Sequence, residues 1–344
     1  MIILIYISVL LRLLINIFSQ LFYNINYIEY NRGIKYYSST KESDKTPQVL
    51  QASGPSGHLV KIDPYFITGL TEAEGNFSIR KNLDSRARYG LTVGLRFKIT
   101  MLDNELTLLK QVQSYFGVGK IYISDKGVVD YLVQDKEGLK VIVNHFNKYP
   151  LRGTKYQDFL DFAKVLEMIL NRNHNTYEGK MTIIDISNNM NKYRKEFYIP
   201  NHTIKDDSNY MPINGHYING FIAGDGSLFL KTKLNFGSMG IQISQHRNNA
   251  PLMKEIAEYF SPTIPVVFHS ENAVQITISG DKLWKDVIFV HFSRYPLHGS
   301  KLIQLEKLNE IALFKQSGKH LIKEGRTRVF SQKAEYYILS IWNR

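Results

Sequence analysis

An internal repeat constrains this chain more than any other feature of the sequence. HFNKYPLRGTK occupies residues 145–155 and HFSRYPLHGSK occupies residues 291–301, with seven of eleven positions identical. A second pair lies upstream, YFITGLTEAEGNF at 65–77 and HYINGFIAGDGSL at 216–228. Two independent segment pairs in the same order indicate that one domain occurs twice in the chain.

The repeat defines the expected domain organisation. The first copy is predicted to span residues 58–175 and the second residues 213–344, with 176–212 as the linker between them. Residues 1–57 stay outside both copies as an N-terminal extension. At about 150 residues per domain, a chain of 344 residues is long enough for two domains.

Composition narrows the class of protein. Since 44% of the residues are hydrophobic, the chain can bury a core and is not a disordered tail. The absence of cysteine excludes disulfide scaffolds, thiolate metal sites and a cysteine nucleophile. The net charge of +12 favours a polyanionic partner, with nucleic acid first and an anionic membrane second. Abundant Ile, Asn, Lys, Tyr and Phe, which A/T-rich codons encode, indicate an A/T-rich genome such as a mitochondrial one.

The N-terminal extension begins with an apolar segment, residues 1–22, and continues into a polar linker at 41–57. The apolar segment approaches the length of about 20 residues that a membrane span needs. Arg12 near its centre costs about 2.5–3.5 kcal/mol on insertion scales, which disfavours a span. A targeting segment, a weak membrane anchor and a remnant of a neighbouring reading frame stay open as alternatives, with membrane contact the less favoured.

Hydrophobic periodicity predicts an α+β fold of two pseudo-symmetric αββαββα copies with antiparallel, saddle-shaped sheets. Residues 171–180 are predicted to form a loop. The predicted elements of the first copy are a helix at 64–74, a strand at 91–99, a helix at 104–116, a hairpin at 117–133, and helices at 139–146 and 155–170. Those of the second copy are a helix at 216–225, a strand at 239–244, a helix at 250–260, a hairpin at 264–279, and helices at 281–293 and 300–314.

Small residues recur at a spacing of four in the first helix of each copy. Gly69 and Ala73 share one face of the first helix, and Gly220 and Gly224 share one face of its counterpart. Missing side chains let two helix backbones approach closely. We therefore expect these two helices to pair through the small-residue faces, which brings their C-terminal ends together.

Each of these helix ends carries an acid followed by glycine, Glu74 in the first copy and Asp225 in the second. A carboxylate at a helix C-terminus opposes the helix dipole by about 0.3–1 kcal/mol, and two converging carboxylates repel each other. A divalent cation between them compensates both effects. Oxygen ligands without cysteine or paired histidine favour Mg²⁺. A merely solvated acid is the alternative, which the matching positions in the repeat disfavour.

ITGLTEAEG at 67–75 and INGFIAGDG at 218–226 resemble the two motifs of single-chain LAGLIDADG homing endonucleases. The YPLxGxK elements at 149–155 and 295–301 extend the resemblance, which covers residues 60–344. It implies that the two motif helices form the pseudo-twofold interface and that their last acids, Glu74 and Asp225, bind metal and water. It also implies that Lys155 and Lys301 lie near the scissile phosphates.

The resemblance implies metal-assisted in-line displacement at a phosphodiester, with the lysines stabilising the extra phosphate charge. Two departures from symmetry stand out. Glu72 precedes the first motif acid by two positions, where the second copy has Ala223, and we interpret Glu72 as non-catalytic because i and i+2 point to different faces. Gln245 fits a polar residue that assists the attacking water, whereas the first copy has Met101. Cleavage of one strand is therefore expected to be slower than that of the other.

The strand period places polar side chains on the face opposite the core, where a curved antiparallel sheet can sit in the major groove of DNA. A plain solvated face is the alternative, and the resemblance favours DNA for the face rather than for any single residue. Different residues in the two copies imply a long target site that is not a perfect palindrome. The candidate DNA contacts are Asn76, Ser78, Arg80, Asn82, Arg96, Lys98, Lys120, Tyr122, Ser124, Ser227, Phe229, Lys231, Lys233, Gln242 and Ser244.

His145 and His291 recur in the repeat, but each lies in an apolar stretch, and we interpret both as packed rather than ligating residues. The leading hypothesis is a monomeric, Mg²⁺-dependent, site-specific endonuclease for double-stranded DNA, intron-encoded and mitochondrial, with no protein partner required. An RNA-binding maturase that assists splicing of its host intron is the alternative. A DNA-binding regulator without catalysis is a third hypothesis, which the two intact acids oppose.

Overall fold

The computed structural model describes residues 61–231 and 239–317. The predicted N-terminal extension, including its apolar segment 1–22, therefore lies outside the described residues, as do Lys233 and residues 318–344. Within the described ranges, no helix is both long enough and apolar enough to cross a membrane.

The first copy starts at helix α1, whose N-terminus is capped by Asp63: its side chain accepts from the Tyr65 backbone N–H at 2.8 Å, and Pro64 occupies the first helical turn. The elements follow the predicted order. They are α1 (Pro64–Glu74), β1 (Gly75–Leu83), β2 (Leu91–Leu102), α2 (Leu106–Phe116), β3 (Lys120–Ser124), β4 (Val128–Val133), α3 (Lys136–Lys148) and α4 (Lys155–Leu170).

The second copy repeats this order after a connecting helix, α5 (Tyr177–Asn188). The helix predicted at 281–293 is interrupted by a π-helical turn, Trp284–Ile288. The elements are α6 (Gly215–Asp225), β5 (Gly226–Leu230), β6 (Met239–His246), α7 (Ala250–Phe260), β7 (Val267–Phe268), β8 (Ala273–Ser279), α8 (Asp281–Leu283), α9 (Phe289–Arg294) and α10 (Ser300–Gln316).

Each copy builds one antiparallel sheet of four strands, in the order β1-β2-β4-β3 and β5-β6-β8-β7. Phe77 pairs with Phe97, and Phe97 with Val133, so these side chains share the sheet face that packs on the helices. All three are buried, and Phe77 also lies against Phe146 at a ring-centroid distance of 5.3 Å. The predicted α+β class with antiparallel sheets is confirmed.

Helices α1 and α6 pack at backbone contact, as the small-residue faces predict. A Cβ built on Gly69 would lie 1.9 Å from the Tyr217 carbonyl oxygen, and one on Gly220 would lie 1.9 Å from the Phe66 carbonyl oxygen. Because no side chain fits in either place, the two glycines set the distance between the helices. Packing this close fixes where both C-terminal ends lie.

The prediction of a loop at 171–180 is wrong in part, because helix α5 begins at Tyr177. Thr176 caps this helix, accepting from the Gly179 backbone N–H at 3.0 Å. Lys180 of this helix is buried and donates to the backbone carbonyls of Arg88 and Leu91. The sequence pattern missed this helix because tertiary contacts, rather than a clear apolar stripe, hold it. Each copy also has more than one helix after its fourth strand, whereas the predicted order αββαββα has one there.

Candidate active site

Glu74 and Asp225 are brought together at the C-terminal ends of α1 and α6. A Cβ built on Gly224, next to Asp225, would lie 2.9 Å from Glu74 Cγ and 3.5 Å from Glu74 Oε1. Burial raises the pKa of Glu74, and the negative charge of Asp225 raises it further. Burial likewise raises the pKa of Asp225. The structure thus concentrates negative charge in a partly desolvated place, where cations are favoured.

The two candidate metal ligands fit a hard divalent cation. Among the described residues, no group of three or more His, Cys, Asp or Glu side chains is arranged to hold a metal. Mg²⁺ retains several waters and is commonly bound by one or two carboxylates together with substrate phosphates. Two partly buried carboxylates at adjoining helix ends match that donor set, with the remaining ligand positions left to water and phosphate.

The side chains of Lys155 and Lys301 contact the C-terminal ends of the motif helices α1 and α6. Lys155 Nζ donates to the carbonyl oxygens of Glu72 and Ala73, both at 2.6 Å. Lys301 Nζ donates to the carbonyl oxygens of Ile222 at 3.0 Å and Ala223 at 2.7 Å, and also to that of Gly224. These ammonium groups therefore supply positive charge at the helix C-termini. The opposing charge at these helix ends is therefore supplied in part by the two lysines, whereas the sequence predicted compensation by a metal alone.

Burial lowers the pKa of both lysines. For Lys301 it lowers the pKa to about 8, against the opposing effect of nearby carboxylates that include Glu105 and Asp225. The pKa of Lys155 is lowered for the same reason. Both ammonium charges in turn act to lower the pKa of Glu74, in opposition to its burial. The acids and lysines therefore form one electrostatically coupled group.

Gln245 contacts the acid of its own copy, since its Nε2 donates to Asp225 Oδ2. Its Oε1 accepts from Asn249 Nδ2 at 2.9 Å, and Asn249 Oδ1 accepts from the Thr154 backbone N–H at 2.9 Å. Sequence reasoning found Gln245 but missed Asn249. Asparagine just before a helix with proline in its first turn is typical of a capping position, but the Asn249 side chain makes no cap hydrogen bond to its own helix, so the local sequence provided no signal for this contact.

Glu72 lies inside the protein rather than beside the motif acids. It is 2% exposed, and its Oε2 accepts from the backbone N–H groups of Arg152 at 2.9 Å and Gly153 at 3.0 Å. The Tyr217 hydroxyl of the other motif helix also donates to it, at 3.1 Å. Its side chain is thus used to hold the turn before α4, in agreement with its interpretation as non-catalytic.

The repeated histidines are packed, as predicted. His145 Nε2 lies 3.1 Å from Thr68 Oγ1, and His291 Nε2 lies 2.6 Å from Asn219 Oδ1. Burial lowers the pKa of each to about 3, so both rings are neutral at physiological pH. They join helices α3 and α9, which precede the YPLxGxK elements, to the motif helix of the same copy.

The candidate DNA contacts share one face of each sheet. Asn76 pairs with Lys98, Lys98 with Leu132, and Leu132 with Lys120, so one row of side chains crosses the sheet opposite the core. In the second copy, Ser227 pairs with Gln242. The exposed members of the face are Arg80, Asn82, Lys120, Tyr122, Ser124, Ser227, Lys231 and Ser244; the half-buried ones are Asn76, Ser78, Arg96, Lys98, Phe229 and Gln242.

Several residues of this face are held by neighbours. Lys98 pairs with Asp130 at 3.1 Å, and Thr100 donates to the same carboxylate at 2.6 Å. Lys231 lies over the Phe229 ring, 5.0 Å from its centroid. Sequence reasoning missed Asp130 and Thr100, although the same alternation applied to β4 would have placed Asp130 outward, between buried Val129 and Tyr131.

Comparison with known proteins decides the family. The family model described as LAGLIDADG endonuclease matches residues 67–166 and 218–312. The chain belongs to the LAGLIDADG endonuclease family. Both motifs, at 67–75 and 218–226, and both YPLxGxK elements, at 149–155 and 295–301, fall inside the matched ranges.

Relatives of this LAGLIDADG chain carry corresponding names. "Probable intron-encoded endonuclease 2" of Neurospora crassa is 26% identical over 293 residues, which cover 79% of this chain and 64% of the relative. "Uncharacterized mitochondrial protein RF1" of Saccharomyces cerevisiae is 26% identical over 203 residues, 58% of this chain and 39% of the relative. The chain thus spans less than two thirds of the length of these curated relatives.

A solved structure shares the fold over nearly its whole length. I-SmaMI, bound to an uncleaved DNA target in the presence of calcium ions, superposes with a TM-score of 0.71 at 27% identity. The match covers 80% of this chain and 98% of that chain. The same architecture thus carries a DNA target in a protein similar to this LAGLIDADG chain.

The connector between the two copies, residues 176–212, extends the polar face of β1 in this LAGLIDADG protein. A cavity of about 850 Å³ lies between the two, lined by Asn76 and Ser78 on the strand and by Asn191, Lys192 and Tyr193 on the connector, among others. Asn191 Nδ2 donates to the Phe77 carbonyl oxygen at 3.0 Å, so it covers the free edge of β1. The sequence predicted this segment only as part of the linker at 176–212.

Proposed function

We propose that this LAGLIDADG protein is a monomeric, site-specific endonuclease that cuts both strands of double-stranded DNA. The observation that carries the proposal is the pairing of Glu74 and Asp225 at the seam between two copies. Each copy adds a polar sheet face to one side of that seam. The relatives named as endonucleases and the DNA complex of I-SmaMI support the same activity.

Glu74 and Asp225 would hold the divalent cation, and we propose Mg²⁺ because both donors are hard carboxylate oxygens. When bound, such a cation offsets charge on the attacking and leaving oxygens of an in-line phosphodiester displacement. Calcium accompanies the uncleaved DNA in the I-SmaMI structure, which supports a divalent site in the family.

The remaining residues of the site act on charge and orientation. Gln245 holds one oxygen of Asp225, so the carboxylate keeps a fixed orientation. Lys155 and Lys301 are fixed by helix-end carbonyls and provide positive charge next to both acids. We propose that this charge stabilises the additional negative charge that develops on the scissile phosphates.

The two sheet faces would provide recognition. Arg, Lys, Asn and Gln side chains are those that read base edges in the major groove, and the net charge of +12 favours the phosphate backbone. The faces differ in sequence, with Arg80 and Arg96 in the first copy and Ser227 and Gln242 in the second. We therefore propose a long target that is not a perfect palindrome.

We further propose that the protein is intron-encoded and acts in the mitochondrion, since relatives carry those descriptions in their names. The uninterrupted host exon junction, into which the intron inserts, is then the expected target. Residues 58–175 and 213–344 are proposed as the limits of the two copies.

Cleavage of that junction tests the proposal. A supercoiled plasmid with the uninterrupted junction is incubated with the full chain and Mg²⁺, and linear product is expected. Glu74→Gln and Asp225→Asn should each reduce the rate at least about 100-fold, since each removes a carboxylate from a paired site. Glu137→Gln, at a side chain 80% exposed, is the surface control. No linear product, or full activity of Glu74→Gln, would refute the proposal.

A further inference from the structure

A chain of hydrogen bonds runs from the first copy to the acid of the second copy. The Thr154 backbone N–H, at the start of α4, donates to Asn249 Oδ1 at 2.9 Å. Asn249 Nδ2 donates to Gln245 Oε1 at 2.9 Å, and Gln245 Nε2 donates to Asp225 Oδ2. Thr154 and Asn249 lie 95 residues apart, so only the packing of the two copies joins them.

This chain has one direction. A backbone N–H can only donate, which requires the oxygen of the Asn249 amide to face Thr154. The nitrogen of that amide then faces Gln245, and Gln245 in turn presents its own nitrogen to Asp225. Successive bonds of one direction polarise each other. Asn249 and the carboxylate of Asp225 therefore favour the same orientation of the Gln245 amide, and Asn249 holds its oxygen end in place.

The first copy has an equivalent acceptor for the other copy, but no series of hydrogen bonds leads from this acceptor to the motif acid. Glu105 immediately precedes α2, as Asn249 precedes α7, and Glu105 Oε1 accepts from the Ser300 backbone N–H at 3.1 Å. Met101 lies five residues before α2, in the place of Gln245. A thioether cannot donate, so nothing passes from Glu105 to Glu74 by this route. Asn249 and Glu105 each accept from a backbone N–H of the other copy, but only Asn249 also donates to a side chain that contacts a motif acid.

Glu72 strengthens the same asymmetry. It accepts from the backbone N–H of Gly153, and a Cβ built on Gly153 would lie 2.7 Å from Glu72 Oε1 and 2.8 Å from Asn249 Oδ1. The turn before α4 is therefore held between these two side chains. Ala223 occupies the place of Glu72 in the second copy, so the turn before α10 is held by Glu105 without a counterpart of Glu72.

We propose that Asn249 is a positioning residue that acts through Gln245 on Asp225, and that it makes the two strands of the target break at different rates in a fixed order. The proposal rests on the proposed endonuclease function. The strand whose cleavage depends on Asp225 in this orientation is cut first, and nicked DNA accumulates before linear DNA.

Strand-specific rates test this positioning role. The plasmid with the uninterrupted junction is cut in Mg²⁺, and the two nicks are quantified separately by primer extension on each strand. Asn249→Ala should slow one strand about twofold to tenfold, the loss of one hydrogen bond in the chain, and change the other less than twofold. In a Gln245→Met background, Asn249→Ala should have no further strand-specific effect, because the residue acts through Gln245.

Lys254→Ala is the matched control for the strand rates, since Lys254 lies on the same helix, α7, with a side chain that is 72% exposed and takes no part in the hydrogen bonds to the acid. It should leave the ratio of the two strand rates unchanged. The reciprocal double substitution Met101→Gln with Glu105→Asn should build the missing chain in the first copy and narrow the ratio.

The side-chain amide resonances of Gln245 provide a readout without cleavage. In metal-free protein, Asn249→Ala should shift and broaden them, whereas Glu105→Ala should leave them unchanged. Equal slowing of both strands by Asn249→Ala, the same strand bias in Lys254→Ala, or an unmoved Gln245 resonance would overturn the positioning role. A wild-type protein that cuts neither strand would instead refute the endonuclease function, and the resonances would still test the contact.

Discussion

Replacing Gly69 by alanine should separate the two motif helices. The added Cβ would lie 1.9 Å from the Tyr217 carbonyl oxygen and 2.9 Å from the Phe221 backbone nitrogen. Carbon atoms essentially never approach such atoms closer than 3.0 Å, so α6 must move away by about 1 Å. The obstacle is backbone on the opposite helix, which cannot rotate away as a side chain would.

The magnitude follows from two opposing contributions. Overpacking of this kind costs about 1–3 kcal/mol or more, and separation also weakens contacts along the rest of the interface. Alanine regains about 1 kcal/mol over glycine as a helix former. The free energy of unfolding should therefore fall by about 2 kcal/mol, and cleavage should fall with it because the acids at the helix ends move apart.

Urea unfolding followed by circular dichroism measures this change, with an unchanged m-value as the sign that stability alone has altered. Gly94→Ala is the matched control, because a Cβ at Gly94 meets no atom within 4 Å. Gly220→Ala, whose Cβ would lie 1.9 Å from the Phe66 carbonyl oxygen, should behave like the variant at Gly69. A Gly69→Ala protein with wild-type stability would show that the helix backbones are not in contact.

Three further predictions concern charge. Burial lowers the pKa of Lys301 to about 8, so between about pH 8 and 10.5 the unfolded chain binds more protons than the folded protein, and this residue makes the free energy of unfolding rise with pH. Lys301→Met should remove that rise when urea unfolding is measured across this pH range. An unaltered slope of stability against pH would contradict the burial of the charge. The side chains of Arg152 and Glu255 form an ion pair and are 5% and 13% exposed, so Arg152→Ala should lower the free energy of unfolding by about 3–5 kcal/mol. Glu255→Gln should lower it by a smaller amount. A melting temperature unchanged by Arg152→Ala would argue against the ion pair. Arg80 is exposed on the sheet face, so Arg80→Ala should weaken binding of the target by about 1–3 kcal/mol in Ca²⁺ at fixed salt, as fluorescence anisotropy measures, and undiminished affinity would remove Arg80 from the interface.

Much of the fold could be predicted because local signals agree with tertiary ones. Helices α4 (Lys155–Leu170) and α7 (Ala250–Phe260) have the bounds that their periodic apolar positions predict. The outward face of β1 and β2 followed from alternation alone, and the register confirms that those residues share a face. Helix α5 escaped prediction because contacts such as that of Lys180 with distant carbonyls hold it.

The candidate site divides in the same way. Glu74 and Asp225 could be found because each ends a helix whose small residues mark a partner face. The contacts of Lys155 with Glu72 and Ala73 could not, because they join residues more than 80 positions apart through a turn whose shape the sequence does not state.

The internal repeat by itself determined that one domain occurs twice, that two glycine-bearing helices pair, and that two acids meet at the ends of these helices. These conclusions need only spacing and helix geometry, which act within each segment. The tertiary structure alone decided what each copy gives to the other. Glu105 reaches Ser300 across 195 residues, and Asn249 reaches Thr154 across 95, because α1 and α6 pack at backbone contact and carry their sheets with them. The sequence already showed that the copies differ, with Gln245 against Met101 and Glu72 against Ala223, and only packing decided which contacts these side chains make.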